Sequence, residues 1–580
     1  MKRLLILALS VLTVAACCVL TPGCTKPADD PGNELPPPGN ELPPPDDGGG
    51  QKEPEIPAVT IPEGTNLMGK VTDSSGKGIG GVVVSDGLQC TATNDDGMYY
   101  MKIDVPGVKF IFISSPSGYT PPVSDGCPVF YKLLSNQKKS DGIYVVDDFK
   151  LTPVDNPGRV TVIFTADPQP RPSSAGYDNI GYHSLDCCED LYQDLKETSA
   201  GITGHRVLGV CLGDLVHERM NLFKNYVAGI KTVGYPTYNI LGNHDNNTAA
   251  ADDDAAAADF ESWFGPRNYS FNVGNIHFVM LDNLIMKDNN GKLSGYDQGL
   301  TDKIWAWMQA DLALVPKTTT IAVCAHSPMF KTLNGERTAK HKDDYAALLT
   351  SFAKVHAWAG HTHATHNYIY PAGHKYSKVE VHTLARSTGE LWTNEYLAAG
   401  TPRGYTIAEI ENGEFVSWRF HPVKYQRGKY VGPANPPYQL RDWTYDASGV
   451  AKMKDSGAVL DESYQMHVYA PYGTYGDYKV YANIFLWDSK WGKPVFTIDG
   501  GTPVEMTLEG SASRHDYADT MIKTFYKTYS PTLSAESGYS ASTTANPNTL
   551  FSVPVNAKTG SGTVSVTDRF GNTYTGRVSW

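Results

Sequence analysis

The chain has 580 residues, of which 41% are hydrophobic and 19% are charged, and its formal net charge is −13 at pH 7. This length predicts several domains, and the composition is that of a globular protein. The acidic balance argues against a nucleic-acid polymer as partner, because a phosphate backbone requires a basic binding surface.

Residues 1–24 have the pattern of an export signal, with a basic start and an apolar core that ends in small residues before a cysteine. The segment around Cys17 resembles a bacterial lipobox, and Cys24 is the competing position for a lipid. We favour Cys17, because Pro22 next to the second cleavage point is unfavourable. The sequence therefore predicts a lipoprotein of the bacterial cell envelope, periplasmic or surface-exposed; a soluble secreted protein is the alternative.

A linker follows at residues 25–62. It repeats the heptapeptide Gly-Asn-Glu-Leu-Pro-Pro-Pro at residues 32–38 and 39–45 and continues into acidic and glycine residues. Such a segment has too few large apolar side chains to bury a core, so we expect a semi-extended tether.

Residues 63–155 alternate apolar and polar residues between glycine turns, which predicts a small β-sandwich. The pattern resembles the carboxypeptidase regulatory-like domains, and this resemblance implies a structural or positioning module. Cys90 and Cys127 lie in this region. An exported chain could pair them, but two cysteines alone do not establish a disulfide.

Residues 156–423 contain five short apolar runs that each end in polar residues. The runs and the polar residues that follow them are 160–166 with Asp167 and Gln169, 207–212 with Asp214, 238–241 with Asn243 and His244, 320–325 with His326, and 355–359 with His361 and His363. Apolar runs separated by helical patterns predict buried parallel strands, whose carboxyl ends hold ligands. Gly213 and Gly242 are expected to let the backbone turn sharply before the polar residues.

Aspartate, asparagine, glutamine and histidine together are the ligands expected for hard to borderline divalent metals. The order Asp-x-Gln, Gly-Asp, Gly-Asn-His-Asp, a lone histidine and Gly-His-x-His resembles the calcineurin-like metallophosphoesterases over roughly residues 158–423. The resemblance implies a two-sheet αββα sandwich that holds two metal ions. It implies one ion on Asp167, Gln169, Asp214 and His363, and the other on Asp214, Asn243, His326 and His361.

Two positions depart from the family pattern. Gln169 stands where the first block usually has histidine, and an amide oxygen is a harder ligand than an imidazole. We therefore expect the first site to shift toward Mn²⁺ or Mg²⁺ and to bind its ion more weakly. For the two divalent ions, Mn²⁺ is favoured, and Fe, Zn or Mg are the alternatives. His217 replaces an acidic residue that is often found three positions after Asp214, and the sequence leaves open whether it supports the site or is merely exposed.

The resemblance implies a phosphoesterase that acts on phosphate mono- or diesters through a metal-bridging hydroxide. His244 would face the substrate and protonate the leaving group, with Asp245 holding its ring. The shared residues do not distinguish monoesters from diesters. The expected substrate is a small phosphate ester from a nutrient, a nucleotide or a lipid.

Residues 424–580 are rich in Tyr, Thr, Gly and Ser and predict a second β-sandwich, with a hairpin turn at residues 570–572. The expected fold class is thus α/β, with an αββα sandwich between two all-β domains. The alternative function is a non-catalytic surface lipoprotein that binds glycans or lipids and has a vestigial metal site. Trp487 and Trp491 could bind such ligands, although tryptophan side chains are more often buried in the core.

Overall fold

The computed structural model describes residues 61–155, 158–170, 181–182, 184–333, 335–388, 401–425, 430–431, 443–445, 450–453, 459–470, 478–509 and 549–580. The predicted export signal, both candidate lipid positions (Cys17 and Cys24) and nearly all of the predicted linker lie outside these residues. Among the helices of the described ranges, none combines the length and the apolar character that a membrane span requires.

The N-terminal region is a β-sandwich, as the alternating pattern predicted. Its strands are β1 (Leu67–Asp73), β2 (Val83–Ser85), β3 (Cys90–Ala92), β4 (Met98–Met101), β5 (Phe110–Ser114), β6 (Tyr119–Thr120), β7 (Val123–Ser124), β8 (Cys127–Pro128), β9 (Tyr131–Leu133), β10 (Lys138–Ser140), β11 (Ile143–Val145) and β12 (Phe149–Pro153). One sheet has the order β10-β11-β1-β12-β6, with β4 beside β1, and the other has the order β3-β2-β5-β9. Both cysteines of this region are free thiols, so the possible disulfide is not formed.

The central region carries the predicted helices and strands. They are β13 (Arg159–Thr165), β14 (Gly181–Tyr182), α1 (Ser184–Gly201), β15 (Arg206–Cys211), α2 (Phe223–Ile230), β16 (Thr237–Asn239), α3 (Asp253–Ala256), α4 (Ala258–Phe264), β17 (Tyr269–Val273), β18 (Ile276–Leu281), β19 (Leu284–Asp288), β20 (Leu293–Gln298), α5 (Asp302–Leu312), β21 (Thr320–Ala325), β22 (Lys331–Thr332), β23 (Gly335–Glu336), α6 (Lys342–Thr350), β24 (Lys354–Ala359), β25 (His366–Ile369), β26 (Val379–Thr383), β27 (Gly404–Glu411) and β28 (Glu414–Pro422).

These strands form two sheets, with orders β16-β15-β13-β27-β28 and β17-β18-β21-β24-β26-β25. The five strands that precede the polar residues run parallel to one another within each sheet, as β13 does to β15, β15 to β16 and β21 to β24. The sheets pack face to face, since the rings of Phe164 and Trp358 stack with centroids 4.1 Å apart. This packing places the carboxyl ends of both sets of strands at one edge of the sandwich and confirms the predicted αββα architecture.

The C-terminal region is a second β-sandwich. Its strands are β29 (Tyr430–Val431), β30 (Trp443–Tyr445), β31 (Ala451–Met453), β32 (Met466–Tyr469), β33 (Lys479–Ile484), β34 (Val495–Ile498), β35 (Val504–Glu505), β36 (Thr507–Leu508), β37 (Leu550–Pro554), β38 (Ser561–Thr567) and β39 (Thr573–Ser579). The two sheets have the orders β32-β33-β37-β36 and β35-β34-β38-β39, and the predicted hairpin joins β38 to β39. Trp491 is buried and Trp487 is half-buried, which favours the packing role for both.

Glu380 of β26 joins the central region to the C-terminal sandwich. Its carboxylate accepts hydrogen bonds from both terminal nitrogens of Arg569, at 2.7 and 3.1 Å, and from Lys490 Nζ at 2.8 Å. Next to it, His356 Nδ1 lies 3.0 Å from His382 Nε2. Glu380, His356 and His382 are close enough to form a candidate metal cluster. Because cationic side chains already neutralise Glu380, we interpret this cluster as part of the contact between the two domains.

Candidate active site

The residues predicted from the five strand ends form one connected cluster at the carboxyl edge of the two sheets. Its centre is the pair Asp214 and His326, with His326 Nε2 3.2 Å from Asp214 Oδ2. Asp167 lies beside them, with Oδ1 3.9 Å from the same imidazole nitrogen. Asp167 and His326 are fully buried, and Asp214 is 1% exposed. The strand ends therefore bring two carboxylates and an imidazole into direct proximity.

The other predicted ligands surround this centre. Asn243 Oδ1 lies 3.1 Å from His326 Nε2, and His361 Nδ1 lies 3.2 Å from it. His363 Nε2 lies on the opposite side, 3.5 Å from Asp167 Oδ1. These contacts place Asn243 and His361 with His326, and His363 with Asp167. The two ligand sets that the family resemblance implied stay a prediction, since the backbone nitrogen of His361 also donates to Asp167.

Gln169 follows Asp167 in the same loop and contacts the second carboxylate. Its amide nitrogen donates a hydrogen bond of 2.5 Å to Asp214 Oδ2. The Asp-x-Gln pattern predicted that the amide oxygen of this residue serves as a ligand. An oxygen ligand would require the opposite orientation of the amide, because the NH₂ group has no lone pair to offer a cation. The residue is thus in the predicted place, with its donor end facing the carboxylate.

Five of these residues have a left-handed backbone. The φ angles of Asp167, Gln169, Asp214, His361 and His363 lie between 42° and 68°. Residues other than glycine adopt this conformation rarely, and each costs on the order of 1–3 kcal/mol when the surrounding structure imposes it. Such strain is concentrated at functional sites, so the backbone itself marks this edge as the working part of the molecule.

The glycines beside these residues have two different functions. Gly213 has a φ of +89°, which confirms the predicted sharp turn. Gly242 has a φ of −105°, so the expectation of a glycine-specific turn is wrong there. Its role is steric instead, since a Cβ at this position would lie 2.1 Å from the backbone nitrogen of Asp214. A Cβ on Gly360 would likewise lie 2.5 Å from Asp167 Oδ2.

The two carboxylates set the electrostatics of the cluster. Burial would raise the pKa of Asp214, but the charges of His326 and His244 hold it well below its usual range. Burial opposes protonation of His326, yet Asp214 and Asp167 raise the pKa of this imidazole to about 10. Burial and the neighbouring His326 lower the pKa of His361 to about 3. The negative charge thus attracts a cation to this point, and metal ligation requires neutral imidazoles.

The donor set fits divalent metal ions. Asp167, Asp214 and His326 each offer a ligand atom, and these atoms lie within 4.8 Å of one another. Carboxylates and amide oxygens suit Mg²⁺ and Mn²⁺, whereas imidazoles suit Zn²⁺ and Fe²⁺. Asp214 Oδ2 contacts both Gln169 and His326, so this one oxygen lies next to a member of each ligand set that the resemblance implies. The residues that would hold the ions are Asp167, Gln169, Asp214, Asn243, His326, His361 and His363.

His244 lies at the exposed side of the cluster. Its backbone nitrogen donates to Asp214 Oδ1 at 2.9 Å, which fixes the loop relative to the predicted bridging residue. Its Nδ1 lies 3.3 Å from Glu218 Oε1. The ring of His217 stacks on the His244 ring with centroids 4.0 Å apart. Of the two roles left open for His217, this contact favours support of the site over mere exposure.

Asp245 does not hold the His244 ring, and this part of the prediction needs correction. Its carboxylate accepts hydrogen bonds from the backbone nitrogens of Leu215 at 3.1 Å, Val216 at 2.9 Å and Gly242 at 2.8 Å. Burial and the neighbouring Asp214 raise the pKa of Asp245 to about 7. Asp245 therefore ties the Asp214 loop to the Gly242 loop, and Glu218 occupies the position that the sequence analysis gave to Asp245.

Residues that the sequence analysis missed complete the rim of the site. Tyr296, on the β19–β20 hairpin, places its hydroxyl 3.1 Å from His361 Nε2. Thr388 Oγ1 donates to the carbonyl of Pro168 at 3.0 Å and thereby supports the first loop. Glu218 directly follows His217, where the chain departs from the family pattern. This departure was a sequence signal that could have identified Glu218. The hairpin has no local motif, so no sequence signal indicated Tyr296.

Family models match three consecutive parts of the chain. The N terminal of Calcineurin-like phosphoesterase matches residues 65–154, the Calcineurin-like phosphoesterase itself matches residues 160–365, and the C terminal of Calcineurin-like phosphoesterase matches residues 382–574. Together the three matches cover most of the described residues. No curated protein is similar enough to the chain to count as a match.

Several solved structures are similar to parts of the chain. The purple acid phosphatase PPD1 from yellow lupin (Lupinus luteus) seeds is 13% identical over 47% of this chain and 52% of its own, with a TM-score of 0.33. A dimetal phosphatase from Danio rerio is 16% identical over 43% of this chain and 93% of its own, with a TM-score of 0.30. A putative 5′-nucleotidase from Staphylococcus aureus is 13% identical over 50% and 56%, with a TM-score of 0.28. The chain thus spans about half the length of the lupin and staphylococcal proteins.

Proposed function

The chain belongs to the calcineurin-like phosphoesterases and is a metal-dependent phosphoesterase, and we propose that it hydrolyses small phosphate mono- or diesters. The observation that carries this proposal is the convergence of seven potential ligands from five strand ends on one buried edge. Asp214 is at the centre of this cluster, in contact with Gln169 and His326. A vestigial site would not be expected to keep the buried carboxylates and the strained ligand loops together.

Two divalent ions, when bound, would supply positive charge that binds the phosphoryl oxygens and lowers the pKa of an attacking water. The protein's part is to hold Asp167, Asp214 and the imidazoles at fixed positions before the substrate arrives. The strained backbone and the hydrogen bonds that the Asp245 carboxylate accepts from both ligand loops achieve this. Preorganised groups stabilise developing charge without reorganising during the reaction.

His244 is the proposed general acid. Its Nδ1 faces Glu218, so Nε2 is the nitrogen left to donate a proton to the leaving oxygen. A carboxylate beside one ring nitrogen stabilises the protonated imidazole and fixes its orientation. The stacked ring of His217 limits rotation of His244 further. The pair thus provides a proton at the exposed side of the cluster, where a leaving group can depart.

The experiment that tests this function measures hydrolysis of aryl and alkyl phosphate esters of different leaving-group pKa after removal and re-addition of metal. Chelation should abolish activity with every ester. Asp214→Asn should lose both metal and activity. His244→Asn should keep its metal, lose about 10²–10⁴-fold with alkyl esters, and be far less impaired with activated aryl esters. Activity that survives exhaustive chelation would refute the metal-dependent mechanism, and an equal loss with all esters would refute the role of His244.

Mn²⁺ is the proposed native metal, because Gln169 stands where an imidazole would favour Zn²⁺. Mn²⁺ should therefore restore the chelated enzyme at least as well as Zn²⁺. Restoration by Zn²⁺ alone would contradict this preference without affecting the proposed reaction. The measurement is the rate of aryl phosphate hydrolysis at fixed free concentrations of each ion.

The cell envelope is the proposed location, with the protein anchored by lipid on Cys17 or, failing that, Cys24. The export-like segment and the proline-rich linker support this proposal. A diacylglyceryl cysteine supplies the two acyl chains that stable anchoring needs. Mass spectrometry of the mature protein should find the modified cysteine at the amino terminus. An unmodified terminus beyond residue 24 would rule the anchor out.

A further inference from the structure

Arg337 is a cation beside the active site that has no anionic partner among the described residues. Its Nη2 donates to Ser327 Oγ at 3.2 Å, and Ser327 directly follows His326. Its Nε is buried and has no hydrogen-bond partner, and no carboxylate in the described part of the chain lies within ion-pair distance of its guanidinium. A guanidinium has five N–H donors, so most of the hydrogen-bonding capacity of Arg337 is unused.

The partly buried position of Arg337 makes its positive charge costly. Burial lowers the pKa of the guanidinium, and the phenol groups of Tyr296 and Tyr345 lie close enough to act on it. The nearby cation Lys342 has partners of its own. Its Nζ donates to the Met329 carbonyl at 2.7 Å and lies 4.2 Å from the centre of the Phe330 ring. A partly buried charge without a counter-ion is costly, so a site of this kind favours an anionic ligand.

The position of Arg337 points to the substrate. Ser327 is held by Asn283, which donates from Nδ2 to the Ser327 carbonyl at 2.7 Å and accepts from its nitrogen at 3.2 Å. The guanidinium is therefore fixed next to the end of β21, one residue from His326. Tyr296, the nearest phenol, contacts His361 on the neighbouring strand end. Through Ser327 and Tyr296, Arg337 is thus linked to the residues that carry His326 and His361.

We propose that Arg337, assisted by Tyr296, binds a second phosphate group joined to the scissile one, so that esters carrying a diphosphate are preferred to simple monoesters. This inference rests on the proposed phosphoesterase function. Arginine suits the role because its planar fork binds two phosphate oxygens at once. Arg337 then sets specificity, while hydrolysis of the scissile bond uses the cluster around Asp214.

The test compares phosphate with imidodiphosphate, a diphosphate that resists hydrolysis, as inhibitors of aryl phosphate hydrolysis at fixed free Mn²⁺. Wild type should bind imidodiphosphate at least tenfold more tightly than phosphate. Arg337→Gln should weaken imidodiphosphate about 10–100-fold, the usual effect of losing hydrogen bonds to a charged group. Its inhibition by phosphate should change less than threefold. Arg337→Lys should recover part of the loss, and Tyr296→Phe should weaken imidodiphosphate more than phosphate.

Lys331→Gln is the matched control, because it removes a positive charge from the same hairpin, where Lys331 lies over the Tyr368 ring. It should leave both inhibitors unchanged. Equal weakening of phosphate and imidodiphosphate in Arg337→Gln would overturn the proposal, as would no weakening of either. If wild type hydrolyses no ester, the proposed function fails, and calorimetric titration of the metal-loaded protein with imidodiphosphate still tests Arg337 separately.

Discussion

Gly242→Ala tests whether the ligand cluster depends on the close contact of its loops. The φ and ψ of Gly242 are −105° and 174°, which alanine adopts without strain, so the change acts through space alone. The new Cβ would lie 2.1 Å from the Asp214 nitrogen and 2.2 Å from its Oδ1. Since carbon contacts are comfortable only near 3.5 Å, the two loops must separate by more than about 1 Å.

This displacement moves the residue that both metal sets share. We expect Gly242→Ala to lower kcat/KM by about 10²-fold, the effect typical of a 1 Å misplacement, and to bind less metal. Overpacking should reduce the free energy of unfolding by only about 1–3 kcal/mol. Metal analysis, ester hydrolysis and thermal unfolding measure the three quantities. Gly201→Ala is the control, because its Cβ meets nothing within 4 Å. Full metal content with activity within threefold of wild type would refute the reasoning.

Three further predictions address single side chains. Glu218 orients His244, so Glu218→Gln should lower kcat on alkyl esters about tenfold and leave the metal content unchanged. Unchanged kinetics on esters of different leaving-group pKa would disprove this role. Gln169→His should raise the ratio of Zn²⁺-supported to Mn²⁺-supported activity, and a constant ratio would show that the residue does not select the metal. Glu380→Gln should destabilise the protein at pH 7 by about 1–3 kcal/mol, because it removes the closer carboxylate partner of Arg569 and leaves the longer contact to Asp488. Thermal unfolding should show the difference shrinking below about pH 4.5.

The sign of the last pH effect follows from the direction of the Glu380 shift. Burial would raise the pKa of Glu380, but the bonds from Arg569 hold it well below its usual range. A carboxyl group with a depressed pKa in the folded state stabilises the protein above its unfolded pKa, near 4.3. This stabilisation is lost as the pH falls towards the folded pKa. A difference between variant and wild type that stays constant from pH 7 down to about pH 2 would contradict the assignment.

The sequence predicted the parts of the site that lie directly on strand ends. An apolar run followed by a polar residue specifies both the strand and the edge at which the residue emerges, so Asp167, Asp214 and His326 could be grouped without a structure. What the pattern does not contain is the direction of each side chain after the strand ends. Asp245 shows this limit, because it directly follows His244 yet turns its carboxylate to the backbone of another loop.

Long-range contacts set the second limit. Tyr296 is 65 residues from His361, and Arg569 is 189 residues from Glu380. Each of these contacts depends on how separate elements pack, and neither partner carries a local pattern that indicates the other. The family resemblance could not supply them either, because it fixes only the blocks that hold the metals. Substrate preference is expected in these unpatterned residues, as proposed for Arg337 and Tyr296.

Strand β26 connects the C-terminal sandwich to the ligand cluster. Glu380 on this strand binds Arg569 and Lys490, and a few residues further on the chain contacts the first ligand loop. There the nitrogen of Ser387 donates to the Ala166 carbonyl at 2.9 Å, and Thr388 donates to the Pro168 carbonyl. One short segment is thus anchored by the C-terminal domain and supports the loop that carries Asp167. Because strained loops persist only when their surroundings hold them, the C-terminal sandwich contributes to the rigidity of the site.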